Sequence, residues 1–509
     1  MLNDQLKLPV MDSKIRVGCE VTCSNAIIMT FVFYFFFLVP GFTISGNMDN
    51  SLFTLSPDPD PGAIRPYGKN PWYWEYNGKP VVLRGGSDDD NLWQWTGQKL
   101  IDHLDLLHSL GGNYVRNTMS DRNDYNVFAH EKNDRGFYDL AVWNDEYWNR
   151  LDNFLRETSR RGIIVQVTLW DWFDLGSTRF PVHPLNPENN INWGPEVLTH
   201  RDDYYGGSLR TGNLKVLDYQ HRYVDKLLSI TFNYNHVLYN IGNESGLGAE
   251  WENHWAIYLN DGASEAGKEI YVTSMQFLPG NSVRHVMTYR DIYSFAEISQ
   301  NNQDSRGGRG KTHYENVMRL RGMIEADSRG PLPMNNEKIY GAGGGSNYSS
   351  GTGREAEDRF WKNIFAGCAA VRFHRPEGMW GIGLSERAQA NIRSMSKFLE
   401  AFDIFNARPY RGIKMYGTVH EGYAMANMGQ QYAAYLPGGR YSVELDPWVY
   451  ARKAKIRYLD IDSSAWSEEE IIDLEWEYSG LNREFGYNQG ITITSPANRP
   501  CIALIEIIE

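Results

Sequence analysis

Acidic side chains stand at or near the ends of three strand-like runs in this 509-residue sequence. Glu244 closes one such run, Asp171 follows a second and Glu297 lies within a third. Two carboxylates on either side of a glycosidic bond can cleave it, with a separation of about 5–5.5 Å for retention of configuration and about 6.5–9.5 Å for inversion. These three residues are therefore the first candidates for acid, base or nucleophilic chemistry.

The composition favours a carbohydrate partner for such carboxylates. The 16 Trp, 31 Tyr and 22 Phe residues make up 14% of the chain. Their flat apolar faces suit sugar rings, although most of them are expected to form a large core. Nucleic acid is excluded as a partner because 63 Asp and Glu residues outnumber 50 Lys and Arg residues, for a net charge of −13. Phosphate binding needs a surplus of basic residues.

The elements that must position these carboxylates alternate between β-rich and helical runs. The helical runs include Leu100–Leu110, Tyr147–Ser159, Tyr219–Ser229 and Ala356–Ala366. The strand candidates are Val81–Arg84, Asn113–Asn117, Ile163–Leu169, Val237–Ile241, Ile270–Ser274, Tyr293–Ser299, Ile339–Gly341 and Ala369–Phe373. Eight strands separated by helices predict an α/β fold of the (β/α)8 TIM-barrel type. A doubly wound open sheet is the alternative, and it ranks lower because no Gly-rich phosphate-binding sequence follows the first strand.

The pattern changes around residues 407–412. Short alternating strands with turn signals follow, at Tyr423–Asn427, Gln431–Leu436, Tyr441–Leu445, Lys455–Asp460, Ile491–Thr494 and Cys501–Ile508. They predict a small C-terminal all-β sandwich. The expected domains are a signal peptide or anchor (1–46), a linker (47–66), the barrel (67–408) and the sandwich (409–509).

The N-terminal region predicts export. Lys14 and Arg16 precede the apolar run Ala26–Val39, and small residues follow it, which is the layout of a secretory signal. An uncleaved membrane anchor is the alternative, because the run nearly reaches spanning length. We therefore expect a secreted, periplasmic or cell-surface protein that contacts a membrane only if this segment is retained.

Cysteine and histidine usage predicts neither a disulfide scaffold nor a cofactor. Cys19 and Cys23 lie ahead of the apolar run, and Cys368 and Cys501 are expected to be buried free thiols, with a disulfide between them as the alternative. No Cys/His spacing is typical of a zinc site. The acidic run Asp88–Asp90 is expected to be a solvated turn or helix cap, with calcium binding as the alternative.

Several longer motifs resemble one family of barrel proteins. They are Trp93-Gln-Trp95, Leu169-Trp-Asp-Trp-Phe-Asp174, His183-Pro-Leu-Asn-Pro-Glu-Asn-Asn190, Asn240-Ile-Gly-Asn-Glu-Ser245, Phe360-Trp-Lys-Asn-Ile-Phe-Ala-Gly367 and Arg372-Phe-His-Arg-Pro376. From about residue 70 to its end the chain resembles the apiosidase-like barrel family, whose members often carry a C-terminal domain labelled collagen-binding. The stretches Tyr432–Gly439 and Lys455–Asp460 are similar to that domain. The resemblance implies a secreted glycosidase acting on plant or algal polysaccharide.

The wider clan of barrel glycoside hydrolases implies roles for individual residues. Asn243 and Glu244 resemble the Asn-Glu pair that ends strand four in this clan. By that resemblance Glu244 would be the general acid/base and Asn243 would hold a sugar hydroxyl. Aromatic surroundings are expected to raise the pKa of Glu244. Arg116 resembles the clan's arginine on strand two, which keeps the carboxylates ionised. Further predicted substrate contacts are Trp93, Trp170, His374 and Trp380.

Strand seven departs from the clan pattern. The clan's nucleophile ends this strand, but the run Lys338–Gly345 has Ala342 where a Glu is expected. Glu297 or Asp171 is then predicted to supply the second carboxylate, and the space at Ala342 slightly favours inversion. The alternative is a catalytically retired barrel that binds glycans, with the sandwich aiding attachment.

Overall fold

The computed structural model describes residues 60–508, except 177, 199, 279, 303–310, 342–350, 416–420, 440, 448, 450, 475, 479–485 and 489. The predicted signal or anchor segment lies outside the described residues, as do Cys19, Cys23 and Ala342. Within the described part of the chain, no helix is long and apolar enough to cross a membrane.

Eight parallel strands, each followed by a main helix, form the first part of the described chain. Three short strands (Arg65–Pro66, Trp74–Tyr76 and Lys79–Val81) precede them, a hairpin (His130–Lys132 and Tyr138–Trp143) follows the second strand, and two short helices (Arg201–Tyr204 and Gly206–Thr211) follow the third. The strands are β1 (Leu83–Ser87), β2 (Tyr114–Thr118), β3 (Ile164–Asp171), β4 (Val237–Asn243), β5 (Val272–Thr273), β6 (Ala296–Glu297), β7 (Met334–Ile339) and β8 (Ala370–His374). The helices that follow them are α1 (Gly97–Ser109), α2 (Asp145–Arg160), α3 (Leu214–Thr231), α4 (Ala249–Glu265), α5 (Asn281–Thr288), α6 (Lys311–Glu325), α7 (Gly353–Phe365) and α8 (Glu386–Ala401). The predicted (β/α)8 barrel is confirmed.

Two four-stranded parallel sheets close into the barrel. One has the order β5-β4-β3-β2 and the other β6-β7-β8-β1. At one seam the Asn113 N–H donates to the Arg84 carbonyl at 2.9 Å, and at the other the Ser294 N–H donates to the Val272 carbonyl at 2.9 Å. A Cβ at Gly85 would lie 1.9 Å from the Tyr114 carbonyl oxygen. Only glycine therefore permits this approach of β1 to β2.

The helices form because their apolar residues recur at helical spacing and their ends are capped. In α2 the buried Tyr147, Leu151 and Leu155 lie on one face. The Asn144 side chain accepts a hydrogen bond from the Glu146 N–H and so caps this helix. These helices pack around the strands and leave the barrel ends to the loops.

The barrel interior changes from apolar to polar along its axis. At the N-terminal end of the strands, Trp74 packs edge-on against Tyr271 and Phe295, with ring centroids 5.9 and 5.2 Å away. Its indole N–H donates to Asn335 Oδ1 at 3.0 Å, at the first polar level of the interior. Above that level the interior holds charged side chains, which must be paired because they are buried.

After α8 the described residues contain twelve further strands. They are β9 (Arg408–Tyr410), β10 (Ile413–Met415), β11 (Tyr423–Asn427), β12 (Gln431–Leu436), β13 (Ser442–Leu445), β14 (Lys453–Asp460), β15 (Ala465–Trp466), β16 (Glu470–Asp473), β17 (Trp476–Tyr478), β18 (Gly486–Asn488), β19 (Ile491–Thr494) and β20 (Cys501–Ile507). One antiparallel sheet has the order β9-β11-β12-β20-β14-β15, with β16 also paired to β14, and a second has the order β10-β13-β19. Both sheets contribute to one apolar core, so the predicted sandwich is confirmed.

The sandwich packs directly against the barrel helices. Tyr435 of β12 stacks on Trp361 of α7 with ring centroids 6.0 Å apart. The Ser394 hydroxyl of α8 donates to the Ile461 carbonyl at 2.8 Å. The described barrel and sandwich therefore form one compact unit.

The two described cysteines are free and buried, as expected. Cys501 lies in β20, where burial raises its pKa to about 11. Burial also raises the pKa of the Cys368 thiol well above its usual value.

Candidate functional site

A buried arginine joins three strands near the C-terminal end of the barrel. Arg116 of β2 is 1% exposed. Its Nη2 donates to Asn243 Oδ1 at 2.9 Å, and its Nε lies 2.9 Å from Glu337 Oε1. Its Nη1 lies 3.5 Å from Asp90 Oδ1. Arg116 thus contacts Asn243, the residue beside Glu244, and reaches an acid on strand seven.

Strand seven begins earlier than predicted and contains an acid before its tip, while the predicted tip residue Ala342 lies outside the described residues. The strand was placed at Ile339–Gly341, but it runs from Met334 to Ile339 and contains Glu337. The pairing of β7 with β8 shifts register between Asn336 and Ile339. Bulges of this kind redirect side chains and are common beside active sites.

The bulge turns two consecutive side chains toward the barrel interior. Asn336 points outward and donates to Asn363 Oδ1 of α7 at 3.1 Å. Glu337 points inward and meets Arg116, and Lys338 also points inward, reaching the end of β4. Consecutive residues of a regular strand would point to opposite faces. The bulge therefore places an acid and a base side by side in the site.

Glu244 lies at the C-terminal end of β4 with φ +55°, an uncommon conformation for a residue with a side chain. Lys338 Nζ lies 2.5 Å from Glu244 Oε1 and 2.5 Å from Asn243 Oδ1. Burial raises the pKa of Glu244, but Lys338 and a hydrogen bond from Gln300 outweigh it, and the pKa falls below its usual value. This is opposite to the expected rise, because the neighbour that decides the shift is a lysine and not an aromatic ring.

Asp171 lies at the end of β3 and contacts the same asparagine. The Asn243 amide donates to Asp171 Oδ1 at 3.0 Å, and Arg122 Nη2 lies 2.9 Å from Asp171 Oδ2. Burial opposes ionisation of Asp171, but Arg122 and Asn243 more than offset it and lower its pKa. Burial and the nearby Asp171 raise the pKa of Asp174 well above its usual value. The two shifts are opposite in direction, so Asp171 loses its proton before Asp174 does.

Glu297 lies deeper in the barrel than Glu337. It pairs in register with Asn335, two residues before Glu337 on β7. The Ser299 N–H donates to its Oε1 at 2.7 Å, and the Gln166 amide donates to its Oε2 at 3.2 Å. Burial, followed by the charge of Glu337, raises the pKa of Glu297 to about 8. Glu297 is thus a neutral, hydrogen-bonded acid beneath the site at neutral pH.

Asp90 is buried beside basic residues, and the expectation of a solvated turn is wrong for it. Arg375 Nη2 lies 2.6 Å from Asp90 Oδ2, and His374 Nδ1 lies 3.0 Å from Asp90 Oδ1. Burial opposes its ionisation, but Arg375, His374 and Arg116 hold its pKa well below the usual value.

Burial lowers the pKa of His374 far below its usual value, so the imidazole is neutral. Its Nδ1 lies 3.0 Å from Asp90 Oδ1 and 3.2 Å from Arg372 Nη1, and its buried Nε2 has no hydrogen-bond partner in the described structure. An open ring nitrogen of this kind is suited to a hydroxyl group, which can both donate and accept.

The predicted aromatic contacts occupy different environments. Trp93 is fully buried, and its indole N–H donates to the Thr118 carbonyl at 2.9 Å, so it has no surface to offer a sugar. Trp170 is buried in an aromatic cluster, and its indole N–H has no hydrogen-bond partner among the described residues. Trp380 is half-buried at the barrel mouth, with the Arg375 guanidinium 5.6 Å from its ring centroid.

Strained backbone clusters at the same end of the barrel. Glu244, Arg375 and Trp380 all have positive φ, at 55°, 51° and 74°. Such conformations cost energy and concentrate at functional sites. The described residues contain no group of three or more His, Cys, Asp or Glu side chains that could hold a metal ion.

Solved structures with this fold are known. A glycoside hydrolase of family 5 from Bacteroides vulgatus is similar with a TM-score of 0.59 and 13% sequence identity, over 88% of this chain and 94% of that chain. A second structure has a TM-score of 0.58 and 11% identity, over 88% of this chain and 97% of that chain, and is named a glycoside hydrolase.

Both neighbours are glycoside hydrolases. At such low identity the likeness establishes the fold and leaves the activity to be argued from the site. No protein-family model matches the sequence, and no curated protein matches it.

Sequence reasoning found Glu244, Asn243 and Arg116 and missed Glu337 and Lys338. The structure brings these five residues together through direct contacts. The missed pair was hidden by four consecutive polar residues, 335–338, which resemble a loop. Pro333 before them and the Ile-Tyr pair after them were the available signs of a strand.

Proposed function

We propose that this protein is an exported glycoside hydrolase that cleaves O-glycosidic bonds in plant or algal polysaccharide. Glu244 acts as general acid/base and Glu337 as the second carboxylate. The observation that supports this best is the bridge made by Arg116, which contacts both Glu337 on β7 and Asn243 beside Glu244 on β4. Carboxylates from two strands, organised by one buried cation at the C-terminal end of a barrel, are what the reaction needs.

Glu337 fits the second role better than the residues predicted from sequence. Glu297 is neutral and lies a level deeper. Asp171 is ionised and one hydrogen bond from Asn243, so it is the next candidate. Glu337 shares its cation with the Asn243–Glu244 pair, which keeps the two acids in one network.

The surrounding groups suit a sugar ring. The buried Nε2 of His374 is open to a hydrogen bond with a hydroxyl group, and the ring of Trp380 is partly open at the barrel mouth. Asn243 is held by Arg116 and Lys338 through its oxygen and by Asp171 through its amide. Its orientation is therefore set before a substrate arrives, which lowers the entropic cost of binding.

A barrel that binds glycans without cleaving them is the second candidate. The ion pair between Lys338 and Glu244 favours it, because a general acid must carry a proton and this contact lowers the pKa of Glu244. The full burial of Glu337 points the same way.

Release of reducing sugar from a panel of plant and algal polysaccharides tests the proposal. We expect release by the wild type and a loss of about 10²-fold or more in Glu244→Gln and in Glu337→Gln. Asp171→Asn and Glu297→Gln test the other two acids in the same assay. Glu357→Gln is the matched control, because Glu357 is equally buried but pairs with Arg387 on the outer helices.

Three results would decide against the proposal or part of it. No release by the wild type, with retained pull-down on one polysaccharide, would support the glycan-binding alternative. Full activity in Glu244→Gln would remove Glu244 from the chemistry. Full activity in Glu337→Gln with a collapse in Asp171→Asn would transfer the second role to Asp171. N-terminal sequencing of the exported protein checks whether the predicted signal segment (1–46) is removed.

A further inference from the structure

Lys338 is an unusual residue for the interior of a barrel. It is 1% exposed, and the bulge in β7 turns it inward beside Glu337. Its ammonium nitrogen lies 2.5 Å from Glu244 Oε1 and from Asn243 Oδ1. A buried ammonium is costly unless it is paired, so this contact is a built feature of the site.

The ammonium interacts with both proposed catalytic acids. The charged and titratable groups that influence Glu244 include Lys338 from β7, Tyr340 directly after β7 and Arg116 from β2, and Gln300 of the turn after β6 donates a hydrogen bond to it. The groups that influence Lys338 are Glu244, Glu337 and Arg116. Lys338 thus stabilises negative charge on two carboxylates. The nearby Arg116 guanidinium, by contrast, disfavours the positive charge of Lys338.

The contact also occupies the atom that must act. A general acid gives its proton to the glycosidic oxygen through a carboxyl oxygen within hydrogen-bond reach. Lys338 holds Oε1 of Glu244, and Asn243, the predicted holder of a sugar hydroxyl, is held by the same ammonium. A substrate that reaches these atoms must therefore loosen the hold of Lys338.

We propose that Lys338 is a positioning residue that controls the protonation of Glu244 and Glu337 and so determines the pH range in which the site works. This inference rests on the proposed hydrolase function. Hydrolysis requires Glu244 protonated and Glu337 ionised. With the ammonium in place both acids lose their protons at lower pH, and without it both retain them to higher pH.

The pH profile of kcat/KM tests this role. Because the pKa of Glu244 is lowered and that of Glu337 is raised, the acidic limb falls at the pKa of Glu244 and the alkaline limb at that of Glu337. In Lys338→Met we expect both limbs to move to higher pH by about one unit or more, the effect of removing a close opposite charge. Lys338→Arg keeps the charge and is expected to keep both limbs in place.

A matched control separates this role from burial of a lysine in general. Lys362 of α7 is fully buried and pairs with Glu421 at 2.7 Å, at the contact with the sandwich. Lys362→Met is expected to leave the limbs unmoved. Lys338→Met with lower activity but unshifted limbs would overturn the inference, because a merely structural role changes the height of the profile and not its position.

A second measurement does not depend on activity or on folding of Lys338→Met. In protein labelled with ¹³C at the glutamate carboxyl carbons, the Glu244 resonance is assigned by its absence from Glu244→Gln. In the wild type we expect it to titrate below the ordinary value of about 4.3. A midpoint at or above that value would overturn the inference. If the wild type releases no sugar at any pH, the proposed function fails, and this titration still decides whether the site holds the pKa of Glu244 below its ordinary value.

Discussion

Arg116 is the residue whose removal should cost most at the site. Its guanidinium pairs with Glu337 at 2.9 Å and with Asp90 at 3.5 Å, and it donates to Asn243 at 2.9 Å. Arg116→Met keeps much of the side-chain volume and removes the charge. Removing one partner of a buried ion pair costs about 3–5 kcal/mol, because the other charge is left uncompensated.

The structure places the expected cost near the lower end of that range. Asp90 keeps Arg375 at 2.6 Å and His374 at 3.0 Å after the substitution. Glu337 keeps the Gln166 amide and the nearby charge of Lys338. We therefore expect Arg116→Met to lower the free energy of unfolding by about 3 kcal/mol at pH 7. Most of this cost should arise at Glu337, because its buried carboxylate loses its closest cation.

The sign of the pH dependence follows from Glu337. Burial already raises its pKa in the folded protein, although Arg116 lowers it, so loss of Arg116 raises the pKa further. Below the unfolded pKa of about 4.3 the acid is protonated in both states, and its part of the cost disappears. As the pH rises toward the folded pKa, the folded state loses stability relative to the unfolded state. The destabilisation should be greater at pH 8 than at pH 5.

Urea unfolding followed by tryptophan fluorescence at several pH values measures these free energies. Arg156→Met is the surface control, because Arg156 pairs with Asp152 at 3.0 Å in an exposed helical pair and should cost less than about 0.5 kcal/mol. The double variant Arg116→Met/Glu337→Gln should recover part of the loss. A loss below about 1 kcal/mol for Arg116→Met, or one that does not grow with pH, would refute the reasoning.

Two further predictions concern the scaffold. Gly85→Ala should destabilise the barrel by about 3 kcal/mol or more in the same unfolding assay, because the new Cβ would lie 1.9 Å from the Tyr114 carbonyl oxygen. Gly322→Ala is the control, because Gly322 lies inside α6 and no atom lies within 4 Å of the new Cβ. This substitution should instead stabilise the protein by about 0.5–1 kcal/mol. A similar change in unfolding free energy for both variants would contradict the seam geometry. Cys368 and Cys501 should react with a thiol reagent only on unfolding, as mapped by mass spectrometry, and rapid labelling in the native protein would contradict their burial.

The secondary structure was largely readable from local patterns. Apolar residues at helical spacing predicted α2, and alternation predicted β11 and β12 with their observed bounds. The helix α2 buries one face against the barrel core, whereas β11 and β12 bury both faces, one in the sandwich core and the other against the barrel helices. The order of eight strands and their helices then left few folds to choose from.

Strand seven was misplaced for a physical reason. Residues 335–338 are Asn, Asn, Glu and Lys, all buried, because this level of the barrel interior is charged and the bulge adds a second inward residue. A rule that assigns polar runs to loops detects neither the charged barrel interior nor the bulge. The same rule placed Asp90 in solvent, although three basic side chains surround it.

The direction of the Glu244 pKa shift also could not be predicted from the residues next to Glu244 in the sequence. The residues next to it in sequence are Asn243 and Ser245, and neither carries a charge. The lysine that decides the shift comes from β7, 94 positions along the chain. Only closure of the barrel makes the two neighbours.

The sequence by itself determined the alternation of strands and helices, the all-β C-terminal region and the position of Asn243 and Glu244 at a strand end. Those features depend on contacts that repeat every few residues, and they can therefore be predicted from short-range sequence patterns. The tertiary structure alone decided that Arg116 meets Glu337 and that Lys338 meets Glu244. Those contacts depend on strand register, barrel closure and one bulge, which bring distant residues to distances where buried charges control each other's protonation.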